Sequence, residues 1–426
     1  MLFKEIDARH YAALRIIFGT LAFLTLLGLI GESTFYYADD GWFPIKLAVD
    51  ITNKKEWTLL HTITSPVGVK LFFLAAMAAS ISMAVGFYSR LASWVTFICI
   101  VSLHSRNWLN TYGGDAVLRL MLFYLGLSPS GLAWSADSLI KRFRAGALRL
   151  EKGEAPPRFG RSAPAVPAPV WPLRLMQIQV CLIYFTSGLA KLHGVDWLNG
   201  SALGLALLNP IFAKYNFSWI QTSSIAAFFI RVSTWMTLIW EISFPLLVVA
   251  HRWTRWLAIA IGIAVHGGII LFMQIHWFGY LMIGTYVSLL PSGAFRWLEV
   301  SGKRWARQTF LRKRIRVIYD GECSFCCQAV LLIGLLDWFG RLELIPSEAE
   351  ESWRRHAPNL KRRDLDLALY AVPNGEKPVA GMDAFCEIGR VVPALAPLRW
   401  LAYLPGVRKL GRRLYAWISE QRYCVA

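Results

Sequence analysis

Two short stretches of this chain concentrate the residue types that can do chemistry. Tyr319–Cys327 reads YDGECSFCC, which sets Cys323 and Cys326 three positions apart, directly after a predicted strand and at the start of a predicted helix. At a helix N-terminus the positive end of the dipole stabilises a thiolate, and a second thiol one turn on can resolve a mixed disulfide. That placement predicts an exposed Cys323. A zinc site would need two further ligands, and Cys327, Cys386 and His356 lack the paired spacing that supplies them, so the expectation is no metal. Inert packing cysteines are the other alternative. The second stretch, Tyr184–Gly200, reads YFTSGLAKLHGVDWLNG: an apolar run closes on Lys191 and is followed by His193. A lysine within a membrane-length helix is costly and marks a functional site by default, whereas a lysine at a helix end can instead snorkel to the interface.

Other ionisable groups within apolar runs are few. Lys191 shares a helical face with Tyr184 and Gly188, at spacings of seven and three. Thr234, Thr237 and Glu241 form a stripe that precedes Pro245, and His266 stands in the segment GIAVHGG. Lys191, Glu241 and His266, on three different runs, read together as a site for proton abstraction or for a lipid-soluble ligand, with Tyr184, His193 and Arg106 as further ligand contacts. Asp115 and Arg119 are spaced as an i,i+4 ion pair, with Arg106 just across the turn.

The elements that must position these groups follow from composition. Of the 426 residues 56% are hydrophobic and only 17% are charged, where a soluble protein carries about 25%. Charge is sparse before residue 295 and dense after it, which predicts a membrane domain over 1–295, a basic linker over 296–314 and a soluble domain over 315–426. Apolar runs at Tyr11–Ile30, Val67–Tyr88, Leu91–Leu103, Asp115–Leu127, Val170–Leu192, Ser223–Ala250, Trp253–Gln274 and Phe278–Leu290 predict about eight spans. Between the fourth and fifth, a basic amphipathic stretch runs into a Pro/Ala/Arg-rich segment that reads as a mobile linker. Twelve Lys and Arg fall in one set of alternate loops and five in the other, so both termini are expected in the cytoplasm of a cell with this chain in its inner membrane. The formal net charge of +18 clusters at the ends of apolar runs; it predicts a lipid bilayer as partner and no nucleic acid. In the last third, IRVIYD reads as a strand, CSFCCQAVLLIGLLDW as a helix, and LDLALYAV with KPVAGM as a strand pair around the turn Pro373–Glu376. Asp383–Ile388 and Trp400–Arg422 read as helical. Cys99 and Cys181, inside apolar runs, read as packing residues.

Both stretches resemble known families. YFTSGLAKLHGVDWLNG, with the later segment AVHGGIILFMQIHWFGYLMIGTY, resembles the membrane region of vitamin K-dependent gamma-carboxylase, the HTTM superfamily, over roughly residues 5–295. The resemblance implies that Lys191 is a base acting on a vitamin K-type hydroquinone, and that a quinone-like or isoprenoid molecule is bound. The segment NWLNTYGGD from Asn107 stands where that family carries a histidine, and has none; His104 lies upstream of it. YDGECSFC, VAGMDAF and LPGVRKLGRRLYAWISEQRYC resemble the DCC family of thiol–disulfide oxidoreductases over about 315–424. That likeness implies a thioredoxin-like α/β fold, Cys323 as nucleophile, Cys326 as resolving thiol, a redox-active disulfide between them, and a partner protein or small thiol. The expected whole is a membrane redox protein. The alternatives are a hydroquinone-dependent carboxylase-like enzyme, or a transporter or scaffold carrying a redox sensor.

Overall fold

A computed structural model of the chain describes residues 4–52, 57–152, 166–308, 314–373 and 377–421. Of the predicted mobile linker at 154–169, residues 154–165 lie outside the described residues, as do the turn residues 374–376 and Cys424, whereas 167–169 form an ordered strand. Contacts divide the chain into two units, Met1–Asp137 with Ala165–Ala294, and Ser138–Pro164 with Phe295–Ala426.

In the first unit each predicted apolar run is helical. The helices are α1 (Arg9–Leu29), α2 (Pro66–Val85), α3 (Ser89–Arg106), α4 (Gly113–Leu127), α5 (Trp171–Lys191), α6 (Ser224–Ala250), α7 (Arg252–Phe272) and α8 (Phe278–Thr285). Ser65 and Ser223 start α2 and α6 by accepting hydrogen bonds from the backbone of Gly68 and Ala226, and Pro66 occupies the first helical position of α2. Among the described residues five helices are long and apolar enough to cross a membrane: the one that begins at Arg9, then α2, α5, α6 and α7. The helices α4 (15 residues) and α8 (8 residues) are too short to reach that length alone, although α8 continues as a 3-10 turn over Tyr286–Leu289.

Helix α4 packs against α1, α3, α5 and α8, and so sits centrally in the unit. The long helices α5 and α6 pack on each other, as do α6 and α7. Short strands β1 (Glu5–Asp7) and β2 (Pro167–Pro169) pair antiparallel and tie the N-terminal segment to the start of α5. Tyr11 reinforces that tie, its hydroxyl donating to the Pro169 carbonyl (2.6 Å) and accepting from Leu173 N (3.2 Å).

The second unit is built on a four-stranded mixed sheet of order β4-β3-β5-β6. Strand β3 (Ile315–Tyr319) runs parallel to β4 (Leu342–Pro346) and antiparallel to β5 (Tyr370–Pro373), which pairs with β6 (Val379–Ala380). The parallel pair is bridged by helix α9 (Ser324–Leu336), as the long return of a parallel connection requires. Alternation along β3 sorts its side chains: Ile315, Val317 and Tyr319 join a core with Val330 and Ile333 of α9 and with Ala384 and Ile388 of α10 (Gly381–Val391). Ile318 joins Ile345, Trp353 and Leu365 in a separate cluster. Both faces of the sheet are therefore covered.

The sequence reading missed β4, whose segment RLELIP carries two charges among its apolar residues. It also made the next strand too long. Residues Arg362–Leu365 form a helical turn in which Asp364 caps the Lys361 amide at 2.8 Å, so β5 begins only at Tyr370. Beyond α10, helices α11 (Ala396–Leu401) and α12 (Val407–Gln421) complete the unit. The basic amphipathic helix Ala136–Glu151, read as an isolated stretch before a linker, packs within this unit, with Gly146 against the Leu331 side chain.

Candidate functional site

Lys191 is the last residue of α5, and its ammonium donates to Glu241 Oε1 (2.7 Å) and Oε2 (2.6 Å) on α6 and to Ser187 Oγ (2.8 Å) one turn back. A lysine has three N–H donors, and these three acceptors use them all. The Trp197 ring lies 4.9 Å from Nζ. Gly188 makes this pairing possible: a Cβ there would meet the Ile242 side chain at 2.8 Å and the Glu241 Cβ at 3.1 Å, so only glycine lets α5 approach α6 this closely. Pro245, four residues past Glu241, cannot donate to the Glu241 carbonyl, which loses its usual helical partner beside the carboxylate. Thr234 and Thr237 bond back to Ile230 and Ser233 on their own helix.

Two turns before Lys191 on α5, Tyr184 is fully buried. Its hydroxyl lies 2.8 Å from His266 Nε2 on α7 and 2.5 Å from the Tyr286 hydroxyl. Its ring packs on Phe244 at 4.2 Å and Trp240 at 4.7 Å between centroids. Gly262 opens the space for Tyr286, because a Cβ on Gly262 would occupy the position of that hydroxyl. His266 is buried, and its Nδ1 has no hydrogen-bond partner among the described residues. One turn further along α7 begins a cavity of about 440 Å³, lined by Lys214, Ile270, Met273, Gln274, His276 and Tyr280 among others.

The remaining predicted contacts lie elsewhere. His193 is exposed on the turn after α5. Arg106 is buried and donates to the carbonyls of Phe43 (2.8 Å) and Ala38 (3.5 Å), holding the 38–43 loop. The expected Asp115–Arg119 pair is replaced: Asp115 accepts from the Tyr112 amide at 3.0 Å and lies 3.4 Å from His104 Nε2. The first turn of α4 needs a capping carboxylate, and that need fixes Asp115 facing α3.

In the second unit the end of β3 turns through Asp320, Gly321 and Glu322 into α9, with Cys323 as the residue that starts the helix and Cys326 in its first turn. Asp320 Oδ1 accepts from the Glu322 amide at 3.0 Å, and the Gly321 amide donates to Ser347 Oγ at 3.3 Å, which pins the turn to the end of β4. One carboxylate oxygen of Asp320 and the sulfurs of Cys323 and Cys326 lie within 4.8 Å of one another, and all three residues are buried. Both cysteines are free thiols. The expectation of an exposed Cys323 is corrected here. Its exposure is 3%, because a short side chain at the strand–helix junction is closed in by the turn on one side and the first helical turn on the other. Cys327 donates to the Gly321 carbonyl at 3.2 Å; burial, helped by the nearby Cys323, Glu348 and Asp320, pushes its thiol up to about 11.

Residues 317–426, which contain this thiol cluster, match the family of DCC1-like thiol-disulfide oxidoreductases. Residues 159–292, which contain Lys191, Glu241 and His266, match the HTTM domain. The chain joins an HTTM domain to a DCC1-like domain. It is a membrane protein with a redox-type module. The HTTM match begins after α4, so the first four apolar helices lie outside it. Among curated proteins, the sporulation-delaying protein SdpB of Bacillus subtilis (strain 168) is 27% identical over 145 residues, which make up 31% of this chain and 45% of that relative. The match thus spans less than half the length of that relative. No solved structure matches the chain.

Sequence reasoning passed over three residues that the geometry puts in contact with the sites. Asp320 of the DCC1-like domain stood in the quoted motif, but its proximity to both thiols depends on the turn. Ser187 and Tyr286 of the HTTM domain stand beside Thr186 and Thr285 in apolar runs, one turn from Lys191 and within the segment that follows His266. A hydroxyl in an apolar run needs a partner, and that was the available signal.

Proposed function

We propose that this chain is an inner-membrane redox protein with eight spans and both termini in the cytoplasm, whose DCC1-like domain, thioredoxin-like in fold, exchanges disulfides through Cys323 and Cys326. The observation that carries the reading is the cluster of two free thiols and one carboxylate at a strand–helix junction inside a segment matching thiol-disulfide oxidoreductases. Cys323 starts α9 and, as a thiolate, is the nucleophile of this reading. That thiolate attacks a substrate disulfide; one substrate sulfur leaves as a thiol and the other becomes bonded to Cys323. Cys326, losing its proton to the Asp320 carboxylate, then attacks the Cys323 sulfur. The second substrate thiol leaves, and a Cys323–Cys326 disulfide remains. Two electrons have passed to the substrate, and an external small thiol or partner protein restores the dithiol.

For the HTTM domain we propose a quinone-like, lipid-soluble ligand. The fit rests on the unpartnered His266 Nδ1, the aromatic packing around Tyr184 and the adjoining cavity, whose volume is within the usual 300–1,000 Å³ range for small-molecule sites. His266 would offer a hydrogen bond to a ligand carbonyl, with Tyr184 and Tyr286 fixing the imidazole through Nε2. A bound quinone supplies two-electron, two-proton chemistry. Lys191 acts in this reading as an anchor of α5 on α6, since Glu241 and Ser187 engage all its donors; a base would first have to be released from them. Mass spectrometry of lipids that copurify with the protein tests this: a prenylated quinone retained by the wild type and lost from His266→Leu supports it, and equal lipid profiles oppose it.

A further inference from the structure

The outward face of α11 and α12 carries an apolar surface that is exposed among the described residues. Along α12, Leu410, Leu414 and Trp417 recur at spacings of four and three, so they form one stripe; Leu410 is 66% and Trp417 56% exposed. The segment from α11 into the following turn adds Trp400, at 74% exposure, with Leu401, Tyr403 and Leu404. The opposite face of α12 is the one that packs. Gly411 lies against Met382, the Tyr415 hydroxyl accepts from the Leu369 amide (2.9 Å) while its ring packs on Phe385, and Arg408 and Arg412 both bind Asp383 of α10 at 2.8 and 2.7 Å. Fixing α12 by that face leaves the stripe turned away from the sheet, with Lys409 and Arg413 beside it.

We propose that this face docks on a bilayer surface rich in anionic lipid headgroups. Three observations choose that occupant. Besides Arg408 and Arg412, which Asp383 engages on the packing face, residues 396–421 hold Arg399, Lys409 and Arg413 against a single acidic residue, Glu420, so the surface complements negative charge. Its large side chains include two tryptophans and a tyrosine, whose amphipathic rings suit the headgroup level. A basic polar flank with Trp and Leu on the other side is the pattern of helices that lie in the interface plane. Finally, the same chain carries membrane-length helices, so a bilayer is a tethered partner present at high effective concentration. Such docking places the thiol cluster of the DCC1-like domain at the membrane surface and commits its substrates to proteins or thiols that reach that surface.

The test uses the full chain in lipid nanodiscs, with Trp417→p-benzoylphenylalanine as a photocrosslinker, Leu414→p-benzoylphenylalanine as a second position, and the exposed Glu351→p-benzoylphenylalanine as a control. With about one third anionic lipid, irradiation is expected to attach lipid at 417 and 414 several-fold more than at 351. Adding Lys409→Glu and Arg413→Glu is expected to reduce those adducts about fivefold or more. Adducts to the chain's own membrane helices or to a second copy in place of lipid, or lipid adducts no greater than at the control position, would overturn the proposal, as would adducts indifferent to the charge reversals.

Discussion

Cys327 sits directly after Cys323 and Cys326, the pair proposed to react, yet its own surroundings disarm it. Burial, the first cause, raises its thiol from the ordinary value near 9 to about 11, and its hydrogen is spent on the Gly321 carbonyl. At pH 8 about one thiol in a thousand is then ionised. Alkylation of Cys327 is expected to be slow at pH 8 and to accelerate as the pH rises toward 11, read by peptide mass spectrometry. The linkage has the same sign: the raised value contributes stability that is complete below pH 9 and is lost as the pH climbs through 11. Cys327→Ser is expected to keep most of the disulfide-exchange rate; a loss of tenfold or more would assign it a direct role. Lys191 offers a contrasting case, since its partners satisfy it. Lys191→Met strands the Glu241 carboxylate and is expected to lower stability by about 3–5 kcal/mol. Adding Glu241→Gln should recover a good part of that loss, as read by thermal unfolding in detergent. If the double variant is as unstable as the sum of the single ones, the pair is not what holds α5 to α6.

Between elements, glycine decides which helices meet. Gly188 sets α5 against α6 and Gly262 admits Tyr286 beside α7, so the aromatic cluster at Tyr184 depends on two missing methyl groups. Gly262→Ala is expected to cost about 1–3 kcal/mol through overpacking and to separate Tyr286 from Tyr184. A drop in thermal stability together with loss of any copurifying quinone would mark that change, and an unaltered protein would show that α7 can shift freely. The same elements show what a sequence makes legible. Long apolar runs, their order and the strand–CxxC–helix junction could be read because each signal is local. The identity of partners could not: Asp115 turns to His104 because its first duty is to the start of α4, and Arg106 is drawn to loop carbonyls 63 and 68 residues away. The same limit hid β4, whose charged Glu343 finds Arg316 across the sheet at 3.1 Å.

At the scale of the whole molecule, two chemistries share one chain. The HTTM domain holds two separate polar arrangements, an ion pair at the end of α5 and, deeper along it, a His266–Tyr184–Tyr286 chain with Tyr184 in the middle. The DCC1-like domain buries the thiols of Cys323 and Cys326 next to the Asp320 carboxylate. Lys191 spends its donors on Glu241 and Ser187, whereas His266 Nδ1 has no hydrogen-bond partner among the described residues. The proposed redox function turns on exchange at Cys323, and trapping its intermediate tests that most directly. The full-length Cys326→Ser protein, incubated with a disulfide-bonded substrate, is expected to accumulate a mixed disulfide mapped by mass spectrometry to Cys323, while Cys323→Ser accumulates none. A mixed disulfide that forms equally in both variants, or in neither, would contradict the account.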